Sequence, residues 1–226
     1  MPRKLTVTST AAVLTGLLAL SACGTDAPQT QPSAATGTAP STAPAPVPSP
    51  AAPTYKILDK ANLTKALLPL KAMPSGYSED ESDSSETDKT FCNYRQPHTA
   101  KIKVSKSYQK GGGLSAQLIS VTLRQYASPA QARASFDKMA KTLETCRKDR
   151  LGGQKVTYAL MNLPEFGERS LGVRIDVQGA TALQGFALVG PTLVSTGTAG
   201  VMSTDADVVA DLLGKQVDRY SAAAAG

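Results

Sequence analysis

Between Tyr55 and Gly226 the sequence predicts an α+β domain, a twisted antiparallel sheet of about six strands with flanking helices in a single globular unit. Three observations carry that expectation. Apolar and polar residues alternate in short runs, as in Lys101-Ile102-Lys103-Val104-Ser105 and along Leu171, Val173, Ile175 and Val177, the signature of half-buried strands. Glycine-rich breaks (Gly111-Gly112-Gly113, Gly152-Gly153, Gly190-Pro191) separate such runs. Helical apolar stripes occur at the start, middle and end of the region, bracketing the strands rather than alternating with them. The 172 residues involved are enough to bury a sizeable core.

The elements follow in chain order. Asp59 is a good N-cap for a short helix carrying Ala61, Leu63, Ala66, Leu67 and Leu68, which Pro69 stops. Met73-Pro74-Ser75-Gly76-Tyr77 is a turn, and Ser78 to Asp88 is an exposed acidic loop without apolar periodicity. Thr90 to Tyr94 is a short aromatic strand. Lys101 to Ser105 opens a longer one, and Leu114 to Tyr126 returns through Ile119, Val121 and Leu123.

Ser128-Pro129-Ala130-Gln131 then places Ser at the N-cap, Pro at N1 and Gln at N3 of a helix, a capping box. That helix buries Ala132, Phe136, Met139, Ala140, Leu143 and Cys146, with Arg133, Lys138, Lys141 and Glu144 toward water. Three or four strands follow, through Val156, Tyr158 and Leu160, through Leu171 to Val177, and through Leu183 to Val189 and Leu193 to Thr198. The last helix starts at Ser203 or Thr204, with Asp205 and Asp207 at its positive end. Its inner face is Val208, Val209, Leu212, Leu213, Gln216, Val217 and Tyr220, and Ser221 to Gly226 is a frayed end.

The residues before the domain set the compartment. Arg3 and Lys4 precede an apolar run from Leu5 to Leu20 that closes in small residues, the order of a secretory signal over residues 1–22. Leu20-Ser21-Ala22-Cys23 resembles the lipobox of bacterial lipoproteins. The resemblance implies that the Cys23 thiol receives a diacylglyceryl group, with Cys23 as the first residue after cleavage. The competing reading is an ordinary signal cut near Ala22, with Cys23 an incidental thiol. Residues 23–54 hold eight prolines among Ala, Thr and Ser, with no aliphatic larger than Val47, so nothing offsets the entropy of ordering them. They form a tether whose reach lies between about 30 Å as a coil and about 95 Å as polyproline II. Its Thr and Ser beside Pro also suit O-glycosylation. No second apolar run reaches the roughly 18 residues of a membrane span, so attachment rests on lipid.

Cys92 and Cys146 remain for an oxidising compartment, where thiols tend to pair; the alternative is two buried free thiols. The formal charge of +6 falls to +4 without Arg3 and Lys4. Glu79, Asp80, Glu81, Asp83, Glu86 and Asp88 lie together, so the rest of the mature chain is strongly basic. That balance favours anionic neighbours such as lipid headgroups or wall polymers. No nucleic-acid motif occurs, and export points away from nucleic acid as a partner.

The order of features as a whole resembles a known family. A lipobox and Pro-rich tether lead into a short helix, then Leu68-Pro69, Met73-Pro74-Ser75-Gly76-Tyr77 and Cys92. A strand then ends before Ser128-Pro129-Ala130-Gln131-Ala132, which opens a helix closed by Cys146. This is similar to the actinobacterial sensor-domain lipoproteins and to the extracytoplasmic domain of PknH-type Ser/Thr kinases. The resemblance implies helices packed around a cleft on a twisted antiparallel sheet, and a binding role without known chemistry. The kinase sensor carries a second disulfide that this chain lacks.

Residues with catalytic or metal-binding chemistry are sparse. His98, the single histidine, follows Pro97 in a loop and has no Gly-x-Ser-x-Gly elbow to serve. No His-Glu-x-x-His or Cys-x-x-Cys occurs, and the acidic run lacks the spacing of a calcium loop, so no metal or cofactor is expected. Ser107-Tyr108-Gln109-Lys110 reads Ser-x-x-Lys, and Ser195-Thr196-Gly197 loosely matches a Lys-Thr-Gly element. The serine nevertheless sits on a strand and not at a helix start. Lys101, Lys103, Lys106 and Lys110 could grip anionic surfaces; the plainer reading is a solvated strand whose lysines discourage edge pairing.

The functional expectation is therefore a non-enzymatic, lipid-anchored binding or sensor module at the extracytoplasmic face of the cell membrane. Tyr77, Tyr94, Tyr126, Tyr158 and Phe166 are the candidate contacts in an apolar cleft, although core is the readier reading for any one of them. The alternatives are a structural partner of an envelope protein or anionic wall polymer and, with no supporting constellation, a cell-wall hydrolase or acyltransferase.

Overall fold

The computed structural model describes residues 54–80, 91–201 and 204–225. The signal, Cys23, nearly all of the tether and the acidic run from Glu81 to Asp88 lie outside the described residues. In chain order the elements are α1 (Lys60–Lys65), β1 (Ser78–Asp80), β2 (Ile102–Lys110), β3 (Gln117–Gln125), α2 (Pro129–Thr145) and β4 (Lys148–Leu151). They continue with β5 (Gln154–Met161), β6 (Arg169–Val177), β7 (Ala180–Val189), β8 (Thr192–Gly200) and α3 (Ala206–Ala224). The eight strands make one open antiparallel sheet in the order β1-β2-β3-β8-β7-β6-β5-β4. The α+β class is as expected, and the strand count exceeds the expected six.

Three local differences change the set of strands. Ser78 to Asp80, expected in a loop, pairs with Ser107 to Gln109 as a short edge strand. Lys148 to Leu151 pairs with Gln154 to Thr157 around Gly152-Gly153, making an edge at the other side. Conversely, the strand expected at Thr90 to Tyr94 is a 3-10 turn over Phe91–Asn93. Cys92 and Asn93 there take φ of 44° and 55°, left-handed values that are costly outside glycine. That conformation is held from outside. Cys92 is disulfide-bonded to Cys146, its amide donates to Asp149 Oδ2 at 2.7 Å, and Phe91 stacks on Tyr94 with ring centroids 5.0 Å apart.

The helix ends follow the sequence signals, with one shortening and one extension. Asp59 caps α1 by accepting from the Asn62 amide at 2.8 Å. The helix stops at Lys65, three residues short of the expected end. Ser128 accepts from the Gln131 amide at 3.4 Å, and Gln131 Oε1 accepts in return from Ala127 N–H at 3.3 Å. Asp205 caps α3 through the Asp207 amide, so this helix starts at Ala206, later than the expected Ser203 or Thr204. The end of α3, expected to fray, is pinned instead: Ala224 is buried, and its carbonyl accepts from Lys56 N–H at 2.8 Å.

Strand alternation gives the sheet two faces, each with its own core. On one, Val104, Tyr108, Ile119, Val121, Leu123 and Val194 pack against Leu212, Leu213, Val217 and Tyr220 of α3 and against Leu63 and Leu67 at α1. Gly185 lets α3 approach, since a Cβ there would meet Leu213 and Val209 at 3.0 and 3.1 Å. On the other, Phe136, Met139 and Leu143 of α2 cover Tyr126, Val156, Tyr158, Phe186, Leu188 and Leu193. Leu160, expected on the buried side of β5, is 41 % exposed. Among the described residues the buried side chains of both cores lie within Leu63 to Ala224, with Tyr55 and Leu58 packed against the first.

Residues 55–73 join no strand beyond a single bridge at Tyr55, and buried polar side chains satisfy their backbone. Gln125 accepts from Leu58 N–H at 3.0 Å and donates to Leu58 O at 2.6 Å. Gln216 accepts from Leu68 N–H at 2.9 Å and donates to Ala66 O at 2.8 Å. Tyr108 O–H donates to Leu68 O, and Arg219 donates to the carbonyls of Leu67 and Lys65. The last of these explains where α1 ends: its final carbonyls are taken up by α3 side chains rather than by another helical turn.

Candidate functional site

The α2 face of the sheet is roofed over only part of its width. Register places Ser107, Ser120, Gly197 and Gln184 side by side across β2, β3, β8 and β7. The row on one side of it is Gln109, Leu118, Ala199 and Ala182, and the row on the other is Ser105, Thr122, Ser195 and Phe186. The small side chains of these rows leave a hollow of about 300 Å³, lined by Ser107, Leu118, Ser120, Gln184, Gly197 and Ala199, with Asp80 of β1 at its edge. Gly197 is the tightest point of the floor. A Cβ there would meet Gln184 Cγ at 3.0 Å and Ser120 Oγ at 3.1 Å.

This surface is polar. Ser105, Ser107, Ser120, Thr122 and Ser195 put five hydroxyls on one face of three adjacent strands, and none has a hydrogen-bond partner among the described residues. Lys103 and Arg124 lie opposite each other in the next row, so cations bound one end of the hydroxyl field and Asp80 lies toward the other. Such a floor can offer hydrogen bonds to a small hydroxylated or anionic molecule. The signal was present in the sequence as Ser and Thr at alternate positions of three strands. Which strands would be neighbours was not.

The five aromatic candidates do not share a cleft. Tyr94, Tyr126 and Tyr158 are buried in the α2 core, whereas Tyr77 and Phe166 pack against the α3 core on the opposite face. Burial pushes the Tyr94 phenol up to about 12, with Tyr126 adding to the shift and Arg124 opposing it. Tyr94 O–H donates to Ser135 O at 3.2 Å, and Tyr77 O–H donates to Gln117 Oε1 at 3.2 Å. Phe166 lies against Gly214, where a Cβ would meet its ring at 3.0 Å.

The four lysines separate in the same way. By register Lys103 lies on the α2 face with Ser105, while Lys106 and Lys110 lie on the α3 face with Tyr108. Lys101 precedes β2, and its backbone donates to Gln125 O. Lys106 pairs with Glu79 at 2.9 Å. Lys110 donates to Ser75 O at 3.0 Å and lies 5.8 Å from the centre of the Tyr77 ring. One anion-gripping stripe along β2 is therefore not formed, because alternate residues of a strand face opposite ways.

The same geometry separates Ser107 from Lys110, which point to opposite faces and cannot act as a nucleophile and base. Ser195 faces the hydroxyl field beside Thr122. His98 sits half-buried in the bend before β2. Among the described residues no three His, Cys, Asp or Glu side chains gather as metal ligands would, and no helix is long and apolar enough to cross a membrane.

No protein-family model matches the chain, and no curated protein matches it. Three solved chains do. One of these is the extracellular domain of PknH from Mycobacterium tuberculosis, 12 % identical, with a TM-score of 0.59 over 75 % of this chain and 100 % of that one. At this identity the match shows a common fold.

Proposed function

We propose that this chain is a non-catalytic, extracytoplasmic binding or sensor module, held at the membrane surface by lipid on Cys23 and displayed on the tether of residues 23–54. The observation that carries the reading is the extent of the fold match, which takes in the whole of the PknH extracellular domain. The Leu20-Ser21-Ala22-Cys23 motif supports the anchor, and the Cys92–Cys146 disulfide fits an oxidising compartment. The binding surface is the hydroxyl-floored hollow, and its ligand is a small polar molecule that bonds Ser107, Ser120 and Gln184. Two measurements test this. Cells fed a labelled fatty acid should yield labelled wild-type protein and unlabelled, released Cys23→Ser protein; label retained by the variant rejects the anchor. Soluble wall saccharides should raise the melting temperature of the wild type and leave a Ser120→Leu chain unmoved, because leucine fills the hollow. A saccharide that shifts both equally places the binding surface elsewhere.

A further inference from the structure

A second groove lies on the other side of the molecule from the hydroxyl field. It occupies about 990 Å³ between α1, the 3-10 turn Leu70–Ala72 and the C-terminal half of α3. Leu58, Pro69, Ala72 and Ala222 give it apolar walls. Lys65, Lys71, Lys215 and Arg219 line it against a single acid, Asp218. Lys65 and Lys71 are exposed and form no ion pair among the described residues, whereas Lys215 pairs with Asp211 and Arg219 is committed to backbone carbonyls.

Two further observations narrow what this groove meets. Ile57 and Leu70, chain neighbours of the wall residues Leu58 and Pro69, are exposed aliphatics at 49 % and 38 %. The described chain also begins here. Thr54 is four residues from Leu58, and Gln125 and Ala224 fasten the backbone immediately after it. Thr54, the first described residue, is therefore on this side of the domain. Exposed aliphatics among unpaired lysines are the pattern of a surface that rests at a lipid headgroup boundary.

We propose that the α1–α3 groove face docks on an anionic phospholipid surface. Lys65 and Lys71 meet headgroup phosphates, and Ile57 and Leu70 enter the headgroup–acyl boundary. The tether root holds this face at high local concentration near the membrane, an arrangement that rests on the anchor reading above. The docking itself does not need the anchor and is tested without it.

The test uses the unlipidated chain Gly24–Gly226, sedimented with vesicles of phosphatidylglycerol or of phosphatidylcholine. The wild type should bind phosphatidylglycerol vesicles in preference, with affinity falling as salt rises. Lys65→Gln with Lys71→Gln should weaken that binding by about ten- to thirtyfold, the scale expected for two lysines at a charged surface. Ile57→Ser with Leu70→Ser should weaken the binding that persists in high salt. Lys148→Gln with Lys155→Gln, on the basic β4–β5 edge, serves as the control for general charge and should change little. Equal or absent binding to both vesicle types overturns the proposal, as does a control variant that weakens binding as much as the groove pair. So does unchanged vesicle affinity with faster hydrogen exchange over residues 24–53 in the groove variants, which would make the tether itself the occupant. None of these results bears on fatty-acid labelling at Cys23, so failure of the docking face is distinguishable from failure of the anchor.

Discussion

Single buried side chains, rather than strand pairing, hold the first described residues of this chain in place. Gln125 and Gln216, both fully buried, each present a carboxamide to one backbone donor and one backbone acceptor. Replacing Gln216 with Leu keeps the volume and leaves the Leu68 amide and Ala66 carbonyl buried without partners. Such orphaned groups cost about 1–3 kcal/mol each. Gln216→Leu should therefore lower stability in urea titrations by at least that much, and a variant as stable as wild type would remove the clamp from the argument. Tyr108 carries a pH dependence of defined sign. Burial first, and Glu79 second, push its phenol from the ordinary value of 10.0 to about 12, with Arg219 opposing. Between those values the unfolded chain loses the proton that the folded chain keeps, so stability contributed by Tyr108 is whole below pH 10 and drains away toward pH 12. Tyr108→Phe should cost about 1 kcal/mol at neutral pH, through the lost bond to Leu68 O. Its unfolding free energy should also fall less steeply with alkali than that of the wild type.

At the level of elements, α2 is fixed at both ends by different means. Its start depends on Ser128, and Ser128→Ala should cost about 1 kcal/mol, read as a lower melting temperature. Its end runs into Cys146, whose bond to Cys92 spans a sequence separation of 54. Loop-closure entropy puts the worth of such a link at roughly 4 kcal/mol. Cys92→Ser should therefore destabilise several-fold more than Ser128→Ala, and the 3-10 turn around Cys92, held in left-handed geometry, should be the first segment to exchange amide hydrogens. Equal melting temperatures with and without reductant would contradict this. The two ends also mark what the sequence could disclose. Ser-Pro-Ala-Gln is local chemistry among four neighbouring residues, and it was legible down to the N-cap. The turn at Phe91–Asn93 was not, because aromatic residues with strand propensity are there overridden by a bond to residue 146 and an amide contact to Asp149. The hydroxyl hollow failed for a related reason. Period-2 reading gives each strand two faces, but the rows that create the hollow depend on β3 pairing with β8, a partnership between residues more than seventy apart. The lysine stripe and the aromatic cleft were drawn along the chain, and the sheet sorted their members onto opposite faces.

At the scale of the molecule, two helical layers share one sheet, and the sharing has a consequence for cooperativity. Adjacent residues of the same strands serve different cores: Leu123 and Ala187 pack toward α3, while Leu188 and Leu193 pack toward α2 and Val194 again toward α3. Neither core can open while β3, β7 and β8 stay paired and packed, since losing one face of a strand removes the support for the other. The described domain should therefore unfold as one unit despite having two separate apolar clusters. Leu212→Ala in one core and Leu188→Ala in the other each delete a fully buried side chain and should cost about 2–5 kcal/mol. If the sheet couples the faces, each variant lowers a single transition seen alike by far-ultraviolet dichroism and tyrosine fluorescence. Two resolved transitions, with only one moved by each variant, would show that the layers fold independently. The same coupling bears on the two proposed surfaces. The proposed ligand in the hydroxyl field would touch β2, β3, β7 and β8, and the groove proposed to meet lipid is built on α1 and α3 behind those strands. A rigid, jointly folded sheet gives the two surfaces a physical connection, and independently melting layers would leave them without one.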